Sequence, residues 1–329
     1  MKVSQLRLTK KKQLFDGLKL LLFSALLLIF PNPVKALTIV NSWQPIFQGI
    51  DYATGFTDDP VPQQVNSLRI DLFNPTVHFF STPSNGIEPL ETTAQTTSQF
   101  LDQYDLQVAV NANFFAPCCV VATEPKDLIG LAISGGNIVS PSDAQISGNI
   151  GEVPNSLLLT QNNQAQIVLT NPSDDFSNIF TAVSAGPRLL TDGAIVVPQI
   201  PPDSFYDLNP RTAVGISENE QYLILMTIDG RQPGISEGAT LYQTAQWLQR
   251  FGSYQGLNLD GGGSTTMVRE GLQGMPQILN WWGDKSGIER FNGNNFGVFA
   301  QAIPVPEPGS LLFIFSFGVY LVTRRPVQH

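Results

Sequence analysis

The chain predicts an α+β fold: a mixed, mainly antiparallel β-sheet core with a few packed helices. Three observations carry that expectation. Ten short runs rich in Val, Ile, Leu and Thr recur along the sequence, turn pairs such as Gly135-Gly136 and Asp192-Gly193 punctuate them, and only two stretches hold helical spacing.

In order, the strand-like runs cover residues 68–73, 77–81, 107–110, 131–134, 156–160, 166–169, 212–216, 222–228, 265–268 and 297–300. Ala94, Thr97, Leu101 and Tyr104 share one face of a helix over 93–104. Leu241, Ala245, Leu248 and Phe251 do the same over 240–252, with Ser236 or Thr240 as N-cap and Gly252 as the stop. Two similar hairpins, 131–139 and 189–197, are recurring local structure rather than a repeat array. The runs 212–216 and 222–228 flank a short turn and therefore pair antiparallel, which brings Arg211 and Asp229 to one open end with Arg231 beside them.

The two ends differ from the middle. Residues 1–36 combine a basic start, an apolar run over 20–30 and the small-residue pattern Val34-Lys35-Ala36, which reads as a cleaved signal peptide. The apolar run is shorter than the roughly 20 residues a membrane-spanning helix needs. Residues 305–329 hold Pro306-Glu307-Pro308, an apolar stretch and the pair Arg324-Arg325. That ordered set resembles the PEP-CTERM sorting tail of Gram-negative bacteria that make exopolysaccharide. The resemblance implies an exosortase-type partner, delivery to the cell surface or medium, and membrane contact only through the processed ends. Residues 37–304 then form one domain, since no linker or charge run divides them.

Charge narrows the partners. The chain has 18 basic and 27 acidic residues; nine of the basic but only two of the acidic ones lie in the two ends, leaving 37–304 at about −16. A field of that sign repels nucleic acid. Cys118 and Cys119 are the only cysteines and, being adjacent, staple no distant segments. His78 is the sole histidine apart from His329, so zinc sites needing several His are excluded, and neither metal nor cofactor is expected. Proton transfer falls to carboxylates or water.

Polar residues of the kinds used in sites gather at strand ends in five segments: Asn111-Ala112-Asn113, Gly186-Pro187-Arg188, Arg211-Thr212, Asp229-Gly230-Arg231 and Asp260-Gly261-Gly262-Gly263-Ser264-Thr265. Consecutive glycines let backbone N–H groups approach a ligand. The loop is not a P-loop, for no Gly-Lys-Ser/Thr follows, nor a nucleophile elbow, for the final Gly is missing. Three of the few arginines in this acidic domain, Arg188, Arg211 and Arg231, fall within these segments, and guanidinium groups suit a phosphate through paired N–H donors.

The ordered stretches AVNANFF (109–115), SAGPRLL (184–190), PRTAVGI (210–216), MTIDGR (226–231) and LNLDGGGSTTMV (257–268) resemble the phosphodiester glycosidase family, over about 68–300. The resemblance implies hydrolysis of the bond between the anomeric carbon of an N-acetylhexosamine or similar sugar and a phosphodiester oxygen. A phosphate monoester leaves with little protonation, which suits a pocket rich in Arg and poor in acid/base groups. Under it Arg188 and Arg211 hold the phosphate with Arg231 in support, and Asp229 or Asp260 acts as base or nucleophile, with Glu237 a further carboxylate to weigh. Asn111, Asn113, Thr212, Ser264 and Thr265 position sugar or phosphate oxygens beside Gly186, Gly261 and Gly262. The competing readings are a non-catalytic surface protein that binds polysaccharide, and an esterase using Ser264, which the shortage of His disfavours.

Overall fold

A computed structural model describes residues 38–118, 123–142, 155–281 and 287–304; both processed ends read from the sequence lie outside these residues, as does Cys119. The fold is strongly β-dominated. Its largest sheet has nine strands, running Thr38–Val40, Ile50–Thr57, Gln63–Asp71, Tyr222–Ile228, Arg211–Ser217, Ser253–Asn258, Arg188–Thr191 and Ala194–Ile195, with Gln44–Phe47 paired to Ile50–Thr57. A five-stranded sheet orders Asn137–Ser140, Ala132–Ser134, Ile179–Ala185, Asn155–Thr160 and Ala165–Leu169. A second one orders Pro276–Ile278, Met267–Glu270, Val108–Asn111, Asn295–Phe299 and His78–Ser81. Thr92–Thr93, Pro125–Leu128 and Phe115–Ala116 make a small fourth sheet.

Every strand pairing among the described residues is antiparallel, so the expected mixture contracts to its main component. The physical reason lies in the connections. Parallel neighbours need long crossovers, usually helical, whereas pairs such as Ile50–Thr57 with Gln63–Asp71 and Arg211–Ser217 with Tyr222–Ile228 are hairpins closed by short turns, and strands distant in the chain add to them antiparallel.

The core sits where three sheets present apolar faces to one another. Leu68, Leu223 and Leu225 of the large sheet meet Val110 and Phe296 of one smaller sheet and Leu157 and Val183 of the other. Tyr222–Ile228 shows why its sequence is almost uninterruptedly apolar. Leu223 and Leu225 enter this core, while Ile224, Met226 and Ile228 point to the opposite face, where helix α2 covers them. A strand buried on both faces has no need of polar alternation.

Two helices are described. Helix α1, Thr97–Gln103, sets Phe100 and Leu101 on Leu106, Ala109 and Val268. Helix α2, Leu241–Arg250, sets Leu241, Ala245, Trp247 and Leu248 on the large sheet. Each begins at a capping box, Thr96 with Gln99 and Thr240 with Gln243, in which the Thr side chain accepts from the N3 backbone and the Gln side chain from the N-cap backbone. Thr240, not Ser236, is therefore the N-cap of α2. Helix α1 starts later than its spacing implies because Thr92 and Thr93 pair instead with Lys126 and Pro125. No helix among the described residues is long and apolar enough to cross a membrane.

Trp247 is fully enclosed, and its indole N–H donates to Gln63 Oε1 at 2.7 Å. Trp247→Ala is expected to cost about 4 kcal/mol in urea denaturation, and Thr240→Ala only about 1 kcal/mol, since the first opens a cavity and strands a buried amide while the second removes one cap.

Candidate active site

The hairpin read from the sequence is present. Arg211 pairs with Ile228, which puts Arg211 at the start of one strand and Asp229 just past the end of the other. The neighbouring strand, Ser253–Asn258, ends beside them, and its chain continues into Asp260. From there Gly262–Ser264 makes a single 3-10 turn, and the chain enters the adjoining sheet at Met267–Glu270. The glycine loop is therefore a crossing between two sheets. A strand could not start at Thr265 because Thr265 N and Ser264 N close that turn on Gly262 O and Gly261 O.

Asn111 holds the crossing in place. Its Nδ2 donates to Asp260 O at 2.5 Å, and its Oδ1 accepts from Thr212 Oγ1 at 2.7 Å and Thr266 N at 3.1 Å. Asn113, equally buried, donates through Nδ2 to Ile129 O at 3.2 Å and Leu131 O at 3.2 Å. Its Oδ1 accepts from Ser184 N at 3.0 Å and Asn294 Nδ2 at 2.9 Å. Asn111 and Asn113 thus fasten backbone segments to one another, with the Thr212 hydroxyl bonded to the Asn111 amide, and none of the three lines the cavity described next. Gly186 contributes its carbonyl to Asn258 Nδ2 at 2.8 Å.

Arg211, Arg231 and Asp260 do come together. They line one cavity of about 310 Å³, with Asn258, Gly261 and Gly262 on its polar side and Phe114, Phe115, Ile129 and Phe205 on its apolar side. Cys118, which is disulfide-bonded, also borders it.

Arg211 is 3% exposed. Its Nε donates to Ala239 O at 3.0 Å, and its Nη2 to Phe205 O at 2.7 Å and Asp207 O at 2.5 Å. No carboxylate lies within ion-pair distance of it among the described residues. Burial pulls its pKa down to about 10, opposed by Asp207 and helped by Arg231, so the group stays charged at neutral pH. Arg231 holds a left-handed φ of 61° and donates from Nη2 to Asn209 Oδ1 at 3.3 Å.

Asp260 as a whole residue is part-exposed, yet its carboxyl is closely surrounded by protein, and that enclosure pushes its pKa up to about 6. Ser264, Arg290 and Gly261 N act against the rise, the last by donating to Oδ1 at 2.9 Å. Ser264 stands beside the carboxyl, but its Oγ reaches no partner at hydrogen-bonding geometry; neither do Thr265 Oγ1 and Asn258 Oδ1, all three buried.

Of the other expected participants, Gly186, Ser264 and Thr265 do not line the cavity, and neither do the charged residues Arg188 and Asp229. Arg188 turns away: its Nε donates to Leu190 O at 3.2 Å, its Nη2 pairs with Gln255 Oε1, and it lines a separate groove beside Asp192, Glu218 and Glu220. A register shift between Arg188 and Leu190 accompanies that turn. Asp229 follows Ile228 and faces the other side of the sheet, where its Oδ1 accepts from Trp281 N at 3.1 Å and burial raises its pKa to about 7. Glu237 accepts from Gly234 N at 3.5 Å and Arg231 N donates to its carbonyl at 3.3 Å, so it braces the turn after Asp229.

Sequence reasoning missed Asn258 and Arg290. Asn258 was readable as the polar residue interrupting Leu257 and Leu259; Arg290 had no local signal, since it lies outside all five segments.

The sequence profile described as phosphodiester glycosidase matches residues 104–299. The catalytic domain of zebrafish N-acetylglucosamine-1-phosphodiester alpha-N-acetylglucosaminidase, auto-inhibited by its pro-peptide, superposes with a TM-score of 0.59 at 18% identity, over 82% of this chain and 89% of that one. A hypothetical protein from Synechocystis gives 0.55 at 17%, covering 82% and 69%. An exported-protein candidate of Burkholderia pseudomallei gives 0.56 at 13%, covering 81% and 97%. At such identities these likenesses speak to the fold. No curated protein matches the chain in sequence. With the matched profile spanning more than half its length and the whole of the glycine-loop site, the chain belongs to the phosphodiester glycosidase family.

Proposed function

We propose that the protein is an exported glycosidase that hydrolyses a sugar-1-phosphodiester, an N-acetylhexosamine or similar sugar linked through phosphate, in exopolysaccharide or cell-envelope metabolism. One observation carries the chemistry. A buried guanidinium, Arg211, is fixed by three backbone carbonyls, has no ion-paired carboxylate among the described residues, and shares a cavity with a second guanidinium and with Asp260. A buried cation without a counter-charge is costly unless an anion completes it. A phosphodiester is such an anion; with Nε and both Nη2 hydrogens committed to carbonyls, Arg211 offers it Nη1, a charge-assisted donor.

In this reading Arg211 and Arg231 bind the phosphate and stabilise the charge that grows on it as the anomeric C–O bond breaks. The leaving phosphate monoester takes that electron pair and requires little protonation. Asp260, ionised above about pH 6, supplies the anion at the anomeric carbon, either as base to the attacking water or as nucleophile. Asn258, whose Oδ1 has no hydrogen-bond partner, lines the cavity and suits a sugar hydroxyl or amide group, while Ser264 lies against the Asp260 carboxyl and favours its ionised form. Asp229 braces the far side of the loop crossing. Export, and an exosortase-type partner at the C-terminal tail, rest on the sequence of the two ends.

The direct test is release of free sugar from UDP-N-acetylglucosamine or related sugar 1-phosphodiesters by the purified chain; no release across several sugars would overturn the enzyme reading. Asp260→Asn is expected to lower kcat about 10³-fold. Arg231→Ala should cut kcat/KM about 100-fold, and Arg188→Ala should leave it unchanged. The pH profile of kcat/KM should lose activity as pH falls through about 6, where Asp260 takes up its proton.

Asp229 gives a separate prediction. Burial holds its folded-state pKa at about 7, well above the ordinary carboxylate range, so stability is fully present below the unfolded pKa and is lost as pH rises towards 7. Asp229→Asn should therefore keep kcat within about threefold, and should gain up to about 4 kcal/mol of stability over wild type at pH 8 but none at pH 4, read by thermal and urea unfolding.

A further inference from the structure

Two neighbouring glycines of the loop each lie against a different guanidinium group. A Cβ built on Gly262 would sit 2.9 Å from Arg231 Nη2. One built on Gly263 would overlap the Arg290 guanidinium at Nη2 and Cζ. Gly262 has a second reason to be glycine, its left-handed φ of 60°. Gly263 has no such reason: its φ lies outside the left-handed region, so any residue could adopt its backbone. What it provides is room for Arg290.

The charged surroundings of Asp260 give that room a purpose. Arg211 comes from strand Arg211–Ser217, Arg231 from the turn after Tyr222–Ile228, and Arg290 from the segment before Asn295–Phe299; Asp207 stands behind Arg211, and the Phe114–Phe115 wall carries no charge. Arg290 is the arginine that acts electrostatically on the Asp260 carboxyl, favouring its ionised form against the effect of burial. Arg211, by contrast, is committed to carbonyls through Nε and Nη2, and Arg231 reaches Asn209.

We propose that Arg290 is a positioning residue for Asp260, and that Gly263 is glycine so that the Arg290 guanidinium can lie against the loop and orient the carboxylate. The division of labour follows: Arg211 and Arg231 hold the phosphate, while Arg290 serves the carboxylate. The kinetic consequences rest on the phosphodiester glycosidase reading; the ionisation of Asp260 does not.

The experiment has two arms on the full chain. In the first, the Asp260 carboxyl is followed by carbon NMR across pH, its signal assigned by loss in Asp260→Asn. Arg290→Ala should raise the Asp260 pKa by about one unit, the size of effect an opposite charge at close range exerts. Gly263→Ala should produce the same rise with Arg290 still present, because the new Cβ displaces the end of a flexible side chain. The double variant should add nothing further, as expected when both changes remove one interaction. Arg290→Lys should recover part of the shift.

In the second arm, Arg290→Ala should lower kcat 10- to 100-fold with KM within about threefold, and the acid limb of the pH profile should move up with the NMR value. An unmoved Asp260 pKa in both Arg290→Ala and Gly263→Ala overturns the proposal. So does a raised KM with unchanged kcat, which would make Arg290 a substrate ligand. If Arg290→Ala does not fold, Gly263→Ala and Arg290→Lys decide. If wild type cleaves no sugar phosphodiester, the functional reading fails, and the NMR arm alone still decides the role of Arg290.

Discussion

The site depends on one buried amide. Asn111 ends a strand of one sheet, yet its side chain grips the first residue of the glycine loop, the strand of Arg211 in the neighbouring sheet and the loop's exit at Thr266. Each of these hydrogen bonds contributes only about 1 kcal/mol net, but leaving their buried partners unmade would cost about 1–3 kcal/mol apiece. The constraint is therefore steep. Asn111 holds the backbone of Asp260, which lines the cavity, and Thr212, bonded to the same amide, fixes where its neighbour Arg211 begins. Asn280 repeats the device at the loop's other end, accepting from Met267 N at 2.6 Å and donating to Thr265 O at 3.1 Å.

With the backbone fixed, electrostatics decides what the cavity prefers. The protein is acidic overall, at −9 for the full chain, so a phosphate-bearing substrate gains nothing from long-range attraction. Affinity has to come from close, desolvated cations. Arg211 meets that need because its fork is anchored on carbonyl oxygens, which tolerate the positive charge without neutralising it. A carboxylate in their place would have cancelled the charge. Arg188 shows the alternative outcome: hydrogen-bonded to Gln255 and near Asp192, it is a sheet-surface cation with no opening to the cavity.

What the sequence disclosed follows from how local each signal is. The hairpin at 211–228 was legible because two apolar runs and their polar turn are contiguous, and the same holds for the Thr240–Gln243 cap. The start of α1 was misread because Thr92 and Thr93 are taken by a strand more than thirty residues away. Asn111 and Asn113 were visible as polar residues at a strand end, but nothing local distinguishes an amide that binds sugar from one that binds backbone. Their partners, Asp260 and Ser184 among them, are 149 and 71 residues distant. Arg188 and Asp229 were assigned by neighbourhood, and side-chain direction is what failed; one strand position reverses the face, and a bulge re-aims it. Arg290 arrives from a Gly- and Asn-rich segment whose approach to Gly263 exists only in three dimensions.

Under the proposed function, charge around the loop then bears on catalysis. Arg211 has no ion-paired carboxylate among the described residues, and Arg231 lines the same cavity. A phosphodiester brings one negative charge, and cleavage of its anomeric C–O bond yields a monoester carrying about −1.5 to −2. The guanidiniums of the cavity therefore meet more negative charge once the bond has broken than before, which is the condition for accelerating the chemical step rather than merely tightening binding. The aromatic wall of Phe114, Phe115 and Phe205 lowers the local polarity, which strengthens the attraction between these charges.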